Sequence, residues 1–400
     1  MFGKWSFCPY NPLRSQGIQS GSKRTLHRAN GAFQKPIDES GRMGSARPSR
    51  TPDLRMAVFR QAVLCTIEFF TPEQGAALVT SHHFISVVIP TRNRQSHLER
   101  LLKELTAQSL PFHFWETVIV NNASSDNTQN VLENWKGQLP NLKGVEEIRS
   151  GSNYARNKGL KTASGDLIAF LDDDTLPHPQ WLERIFERYL TLNPLTDCLG
   201  GKVELAFHSP LPRWYGPFLQ NYLSYTHLGP SFMSVAARTL CSANLVLPAS
   251  LLKDINGFDE RINRKTGNLR SNDETLTLLK LEALGARFFY DPAIKVFHQI
   301  STDRLTQGYF RRRAWWQGRS DAEMELYLSG KNTVFHQVIW PNLYHILRNP
   351  SLIWMAFRPC RGPGKFKLAL QGQLLLGRIW GGVLALLHIG NKTSLKPESF

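Results

Sequence analysis

The chain has 400 residues, of which 42% are hydrophobic and 11% aromatic, so it can bury a sizeable core and is not disordered as a whole. Its net charge is +16, but residues 1–80 carry +6, residues 304–400 carry +10, and the middle is neutral. A neutral middle argues against nucleic-acid binding, whereas basic flanks suit an anionic membrane surface. Five cysteines without paired spacing argue against a disulfide framework or a zinc site and favour a reducing compartment.

The N-terminal region, residues 1–80, is predicted to be a basic and largely disordered extension. Residues 1–55 are rich in Ser, Gly, Arg and Pro and show no sustained hydrophobic period. They contain no apolar h-region, so no secretory signal is predicted, but an Arg- and Ser-rich start is also typical of an organelle transit peptide. Translation from Met56 is a third alternative. An apolar patch at residues 63–70 is compatible with a helix added to the main domain.

From residue 86 onward, strand patterns alternate with helix patterns. Strands are predicted at residues 86–90, 117–120, 145–148, 167–171, 245–247, 288–290 and 294–297. Helices are predicted at residues 96–105, around 131–135, at 152–162, from Pro179 onward, and at 271–284. The alternation implies βαβ units and a mainly parallel sheet. Glycines and prolines after residue 196 predict long loops there.

One predicted strand, residues 167–171, ends in three consecutive carboxylates, Asp172, Asp173 and Asp174. Three neighbouring acids repel one another unless a cation lies among them, and hard oxygen ligands suit Mg²⁺ or Mn²⁺ shared with substrate phosphates. Ligands of open α/β sheets bind beyond the carboxyl ends of the strands. The alternative is a solvated acidic loop closed by a proline turn.

Several short motifs follow one another in a recognisable order. They are VIPTRNR at 88–94, VNNASSD at 120–126, NYARNKG at 153–159, LDDD at 171–174, SAN at 242–244, NGFDE at 256–260 and NDE at 272–274, with Gly285 and His298. With these motifs the chain resembles a family 2 glycosyltransferase of the GT-A fold. The resemblance implies an α/β, Rossmann-like domain over residues 81–303, with a mixed, mainly parallel sheet flanked by helices. It also implies a nucleotide-sugar donor.

The resemblance further implies a donor site and a metal site. The donor residues are Pro90, Thr91, Arg92, Asn122, Arg156, Asp172 and Asp173. The metal ligands, for Mg²⁺ or Mn²⁺, are Asp172, Asp174 and His298, with Asp174 the direct ligand. Asn121 stands where the family commonly has an acidic residue, which leaves the identity of the donor's nucleotide base open. An amide can still form hydrogen bonds with the edge of such a base. The alternatives are a solvated helix face for Arg156 and a structural role for His298.

A general base is also implied, because an inverting transfer needs a carboxylate to take the proton of the acceptor hydroxyl. Glu274 falls where the family usually has its catalytic Asp, and Asp273 is the second candidate for the base. Asn244 is expected beside the acceptor. The structural alternative for Glu274 is a capping box, since Ser271 and Glu274 fit the S-x-x-E pattern.

The C-terminal region, residues 304–400, is predicted to be an amphipathic helical extension. Residues 309–318 mix arginines with aromatics, which leaves open a helix over the active site, a membrane-interface segment or an ordinary amphipathic helix. Residues 334–357 and 366–389 are apolar, but Lys367, Arg378 and four glycines interrupt the second stretch. This pattern favours interfacial attachment over a membrane span.

The expected function is a metal-dependent, inverting transferase of the hexosyl type, with a UDP-linked donor and a glycan or lipid-linked acceptor. It would act in cell-surface or exopolysaccharide synthesis at the cytoplasmic face of the cell membrane, with no nucleic-acid partner. One alternative is a GT-A protein that binds a sugar nucleotide without turnover, against which the retention of Asp174 and Glu274 argues. The other is a basic nucleic-acid-binding protein.

Overall fold

The structure, a computed structural model, describes residues 83–264 and 267–388. The predicted N-terminal extension, its apolar patch and the alternative start at Met56 all lie outside these ranges.

The described residues form one mixed sheet. Its strands are β1 Ile85–Thr91, β2 Trp115–Asn121, β3 Leu142–Glu146, β4 Leu167–Leu171, β5 Thr175–Pro177, β6 Asp197–Phe207, β7 Met233–Ser234, β8 Asn244–Pro248 and β9 Arg287–Ile300. They are ordered β3-β2-β1-β4-β8-β6-β9-β5, and β7 pairs with β9. Strands β3, β2, β1 and β4 run parallel, as do β6 and β9, while β8 is antiparallel to both of its neighbours. The predicted mixed α/β sheet is therefore confirmed.

Helices cover the sheet and continue beyond it. They are α1 Gln95–Thr106, α2 Thr128–Trp135, α3 Ser152–Thr162, α4 Trp181–Tyr189, α5 Ala249–Asp254, α6 Asp273–Ala283, α7 Gln307–Thr333, α8 Trp340–Arg348, α9 Ser351–Phe357 and α10 Pro363–His388. Successive side chains of β1 point to opposite faces of the sheet, so the strand contributes to the hydrophobic layer on each face. Ile85 and Ile89 pack in the layer that contains the buried leucines of α1, whereas Val88 packs with Ala155 of α3 in the other.

Strand β6 corrects the sequence prediction, which expected long loops after residue 196. Residues 197–207 form an 11-residue strand that pairs with both β8 and β9. Gly201 was taken as a loop residue, but a Cβ there would collide with the Ile294 carbonyl and with the Asn244 side chain. Glycine marks a close approach of neighbouring strands here.

The C-terminal helices pack closely on one another. A Cβ at Gly377 of α10 would collide with the Trp315 carbonyl of α7, and a Cβ at Gly318 of α7 would collide with the Leu374 carbonyl of α10. The α10 glycines, expected to weaken a helix, instead allow α7 and α10 to approach. Within the described ranges, Pro363–Leu387 is the one helix long and apolar enough to cross a membrane, and half of its most apolar window is buried in the protein.

Candidate active site

The carboxyl ends of β1 and β4 lie side by side because these strands are parallel neighbours. Thr91, at the end of β1, donates a hydrogen bond from its Oγ1 to Asp173 Oδ2 at 2.8 Å. Burial and the adjacent Asp174 carboxylate raise the pKa of Asp173 to about 7, against the opposing effects of Arg94 and Thr91. The acidic triplet therefore lies at the sheet edge where ligand binding was predicted.

Asp174 is 7% exposed and is surrounded by cationic and imidazole groups. Its Oδ2 lies 2.7 Å from Arg304 Nη2 and 4.0 Å from Arg94 Nη2, and its Oδ1 lies 3.4 Å from His298 Nε2. Burial by itself would raise the pKa of Asp174, but His298 and the two guanidiniums hold it well below its usual range. Protein side chains therefore place positive charge directly beside Asp174.

His298 lies on β9, opposite Thr175 of β5. Its Nδ1 is 2.7 Å from the Leu223 carbonyl, which can only accept, so Nδ1 carries a proton. Burial lowers the pKa of His298, but the Asp174 carboxylate raises it more, so the net shift is upward. In the protonated ring Nε2 points a proton toward Asp174 Oδ1 at 3.4 Å. In the neutral ring Nε2 carries the lone pair, which accepts from Arg304 Nη1 at 3.0 Å. A histidine whose other ring nitrogen donates to a backbone carbonyl has the orientation and tautomer of a metal ligand.

The predicted metal ligands suit a divalent ion that is completed by other groups. In residues 83–264 and 267–388, no three Asp, Glu, His or Cys side chains are grouped so as to hold an ion by themselves. Asp174 and His298 offer a carboxylate and an imidazole lone pair, and the side chain of Asp172 is 39% exposed at the same strand end. Mg²⁺ and Mn²⁺ commonly keep water ligands and share substrate phosphates. The donor set fits such an ion, and its role stays a prediction.

Arg156 connects the acidic strand end to the predicted base. It is buried, so the alternative of a solvated helix face is wrong. Its Nη1 donates to Asp273 Oδ2 at 2.7 Å, its Nη2 donates to Ser242 Oγ at 3.0 Å, and Asp172 Oδ1 lies 4.0 Å away. Burial would raise the pKa of Asp273, but Arg156 holds it well below the usual range. Asp273 is therefore ionised beside Arg156 at neutral pH.

Glu274 has a different environment from its neighbour. It is half-buried, and burial together with the ionised Asp273 raises the pKa of Glu274 to about 8. Its carboxyl also shares a hydrogen bond with Asp273. A carboxyl group with a pKa near neutrality can gain and lose a proton at working pH, whereas Asp273 stays ionised. Glu274 is therefore the better candidate of the two for proton transfer.

The capping-box alternative for Glu274 is wrong. Helix α6 begins at Asp273, and its N-cap is Asn272, a left-handed residue (φ 68°) without a side-chain cap. Ser271 lies one position too early: its N–H donates to Ser320 Oγ at 3.1 Å, and its Oγ accepts from Arg313. Glu274 therefore has no partner in such a box.

Helix α7 lies against the start of α6. Gln317 Nε2 donates to Asn272 Oδ1 at 3.1 Å, and Asn272 Nδ2 donates to Asp321 Oδ1 at 3.1 Å. Arg313 donates to the Leu269 carbonyl at 3.0 Å. Of the alternatives for residues 309–318, this arrangement favours the helix beside the active site.

Two predicted donor residues differ in how their polar atoms are used. Asn122 donates to the Glu147 and Arg149 carbonyls at 3.1 and 2.7 Å and accepts from Gly151 N at 2.8 Å. It shapes the turn before α3, and its contact with a base stays a prediction. Arg92 follows β1, of which Pro90 is part; its Nε and Nη1 are buried without a hydrogen-bond partner. Buried guanidinium nitrogens without a partner are unusual unless an anion joins them.

Asn244 requires a correction. It is 1% exposed, its Nδ2 donates to the carbonyls of Lys202 and Ile294 at 3.1 and 2.9 Å, and its Oδ1 accepts from Trp181 Nε1 at 2.9 Å. Both amide donors are used inside the core, so the acceptor-side role predicted for Asn244 is withdrawn.

Two arginines at the site were missed by sequence reasoning. Arg94 belongs to the first motif, whose position after β1 was a usable signal. Arg304 is separated from Asp174 by 130 residues and belongs to no motif, so no sequence pattern pointed to it.

The chain is similar in sequence to known glycosyltransferases. Residues 86–230 match the family model "Glycosyl transferase family 2". The chain is similar to glycosyltransferase AglE of Haloferax volcanii, with 30% identity over 45% of this chain and 57% of that one, so it spans little more than half of that relative. It is also similar to the glucosyl-dolichyl phosphate glucuronosyltransferase of the same organism, with 22% identity over 60% of this chain and 77% of that one.

Among solved structures, the chain matches the mannosyltransferase PcManGT from Pyrobaculum calidifontis, solved in complex with GDP-Man and Mn²⁺. The two chains are 19% identical, 86% of each is covered, and the TM-score is 0.45. By the family match, residues 86–230 are similar to glycosyl transferase family 2.

Proposed function

We propose that the chain is a metal-dependent, inverting glycosyltransferase that moves a hexosyl group from a UDP-sugar to a glycan or lipid-linked acceptor. Residues 81–303 would carry the reaction, and residues 304–400 would attach the protein to a membrane. The observation that carries the proposal is that the buried Arg156 lies between Asp172 of the acidic triplet and Asp273, the neighbour of Glu274, while Asp174 of the same triplet lies beside His298. A cation-binding pair and a proton-exchanging pair are the two groups that such a transfer needs.

On the donor side, Asp172, Asp174 and His298 would hold Mg²⁺ or Mn²⁺. The ion supplies Lewis-acid stabilisation of the diphosphate leaving group. Arg92 supports the proposal because the unpaired nitrogens of its guanidinium suit an anionic donor. Thr91 fixes Asp173 at the same edge.

On the acceptor side, Glu274 would take the proton of the acceptor hydroxyl while its oxygen attacks the anomeric carbon. The new glycosidic bond forms as the bond to the diphosphate oxygen breaks, and the nucleoside diphosphate leaves with that electron pair. Attack from the face opposite the leaving group inverts the anomeric configuration. Arg156 keeps Asp273 ionised next to Glu274, and a base with a pKa near the working pH is effective.

The raised pKa of Glu274 gives a pH prediction. The carboxylate is the active form of a base, so kcat/KM should rise as the pH increases from 6 and should level off above about 8. A pH series of kcat/KM on the wild type and on Glu274→Asp checks this. Aspartate keeps the ionisable group, so this variant should keep a rising limb with a lower maximum. A wild-type profile that is flat between pH 6 and 9 would contradict the assignment.

The acceptor is proposed to be lipid-linked, and one relative is named for glucosyl-dolichyl phosphate. The C-terminal helices support this proposal. Residues 326–388 contain seven Lys or Arg and no Asp or Glu. Helices α8 and α9 also expose large apolar side chains, which we call the α8–α9 surface: Trp340, Tyr344, Leu347, Ile353, Trp354 and Phe357. Exposed tryptophans and tyrosines next to basic residues are typical of a membrane interface.

Cation–π pairs lie within the α8–α9 surface. The guanidinium of Arg358 lies 4.1 Å from the Trp354 ring centroid, and that of Arg348 lies 4.9 Å from the Tyr344 ring. Such pairs join apolar area to positive charge, which suits anionic lipid at the cytoplasmic face. In contrast, Arg311 donates to the Ala356 and Arg358 carbonyls and serves packing between helices.

Replacing Trp354 and Phe357 together by glutamate should release the protein from vesicles. The two side chains are 59% and 69% exposed, so the substitutions leave the core intact while removing apolar area and adding negative charge. Co-sedimentation with phosphatidylcholine vesicles that contain phosphatidylglycerol measures the effect, and we expect a loss of about 10-fold or more.

The control is Leu195→Glu. It replaces an exposed leucine between α4 and β6, outside the α8–α9 surface, and should bind vesicles as the wild type does. Equal binding by the double variant would contradict the membrane proposal. Truncation after residue 330 is a poorer test, because removing α10 strips Phe366 and Leu370 from a cluster that includes Phe310.

Screening the purified chain against a panel of nucleotide sugars tests the donor and the reaction class. We expect transfer or slow hydrolysis with UDP-sugars. Tight binding of a sugar nucleotide with no turnover on any acceptor would favour the non-catalytic alternative.

A further inference from the structure

Arg304 contacts two of the three predicted metal ligands, Asp174 and His298. It ends the 3₁₀ turn Thr302–Arg304, between β9 and α7. Its Nη2 donates to Asp174 Oδ2 at 2.7 Å, and its Nη1 donates to His298 Nε2 at 3.0 Å. The side chain is only 14% exposed. The planar guanidinium therefore fills the space that a shared cation of Asp174 and His298 would take.

A metal ion and this guanidinium exclude each other. A metal ion needs the neutral imidazole of His298, whose one lone pair is at Nε2 because Nδ1 donates to the Leu223 carbonyl. Arg304 Nη1 lies 3.0 Å from Nε2, so an ion cannot reach that atom while the contact lasts. Guanidinium stays charged at any working pH, so proton loss cannot free the site. Two cations at such short separation would also repel each other.

We propose that Arg304 is a positioning residue that holds Asp174 and His298 ready in the metal-free protein and must leave them before a metal binds. The inference rests on the proposed metal site and adds a competitor to it. An ion then meets a carboxylate and an imidazole that are already correctly oriented. Its apparent affinity is lower, however, because only the molecules in which Arg304 has moved away can bind it.

The released guanidinium needs another anion. The diphosphate of the donor is the anion that the proposed function brings to this crevice, and arginine binds phosphate oxygens well. In this scheme Arg304 favours metal binding together with the donor over metal binding alone.

The test measures Mn²⁺ binding to the full chain without nucleotide, from the electron paramagnetic resonance signal of free Mn²⁺. Arg304→Ala should bind Mn²⁺ about 10- to 100-fold more tightly than the wild type, the factor expected when charge-assisted hydrogen bonds no longer compete. Arg304→Gln keeps most of the side-chain volume and should show the same direction if the alanine variant melts early.

The matched control is Arg94→Ala. This change removes one positive charge at 4.0 Å from the same Asp174 oxygen, where no hydrogen bond to His298 is made. Removal of charge alone should tighten Mn²⁺ binding by less than about 3-fold, since Arg94 is one-third exposed and screened by solvent.

Equal affinity in the wild type and both Arg304 variants, or an equal gain in Arg94→Ala, would overturn the inference. If Mn²⁺ binds only with saturating UDP and independently of Arg304, this inference alone fails. If no protein binds Mn²⁺ with or without UDP, the metal requirement of the proposed function fails with it.

Discussion

Replacing Glu274 by glutamine should lower kcat by about 10²- to 10⁴-fold, the usual contribution of a general base. Glutamine has the same shape but cannot accept a proton, so donor binding and the melting temperature should stay near those of the wild type. On the same preparation, fixed-time turnover assays measure kcat, a donor titration measures donor binding, and thermal unfolding measures the melting temperature.

Asp273→Asn is the matched comparison. Asp273 is buried against Arg156, so this change should destabilise the fold by about 3–5 kcal/mol, the typical cost of breaking a buried ion pair. A low kcat in Asp273→Asn with normal melting, together with full activity in Glu274→Gln, would move the base one position back.

Replacing Asp174 by asparagine should lower transfer by about 10³-fold or more, because Lewis-acid stabilisation contributes several kcal/mol to such a reaction. Asp174→Ala should also lower the melting temperature, since it leaves Arg304 and His298 buried without their carboxylate. The burial of Asp174 thus predicts a loss of stability in the alanine variant in addition to the loss of transfer.

Asp197→Asn is the control for loss of a buried carboxylate. Asp197 is fully buried and pairs with Arg287 at 2.8 Å, away from the acidic triplet. This variant should lose stability while its folded fraction keeps wild-type kcat. Comparable loss of kcat in Asp197→Asn would mean that the effect at Asp174 reflects folding alone.

The local pattern of the fold was predictable from the sequence. Strand β4 has the predicted bounds because an uninterrupted apolar run is a local signal, and α1 lies where leucines recur at a spacing of three to four residues. The two strands predicted at residues 288–290 and 294–297 form one strand, β9, which pairs with β6 on both sides of an irregularity between Asp291 and Lys295. In β6, tertiary packing outweighed the loop propensity of Gly200 and Gly201.

The candidate site was predictable only in part. The acidic triplet and the Asp273–Glu274 pair follow from motifs within a few residues. The contact of Arg304 with Asp174 depends on the pairing of β5 with β9, which brings distant residues together and leaves no local pattern. Asn244 shows the converse: a motif residue whose amide is used entirely by the core.

Sugar transfer in a chelator tests the central claim most directly. The purified chain, its preferred UDP-sugar and a lipid-linked acceptor would be assayed with EDTA, and again after Mn²⁺ is restored in excess. The account predicts that transfer stops in EDTA and returns with Mn²⁺ in the wild type, while Glu274→Gln stays inactive in both. Full wild-type transfer in EDTA would contradict it.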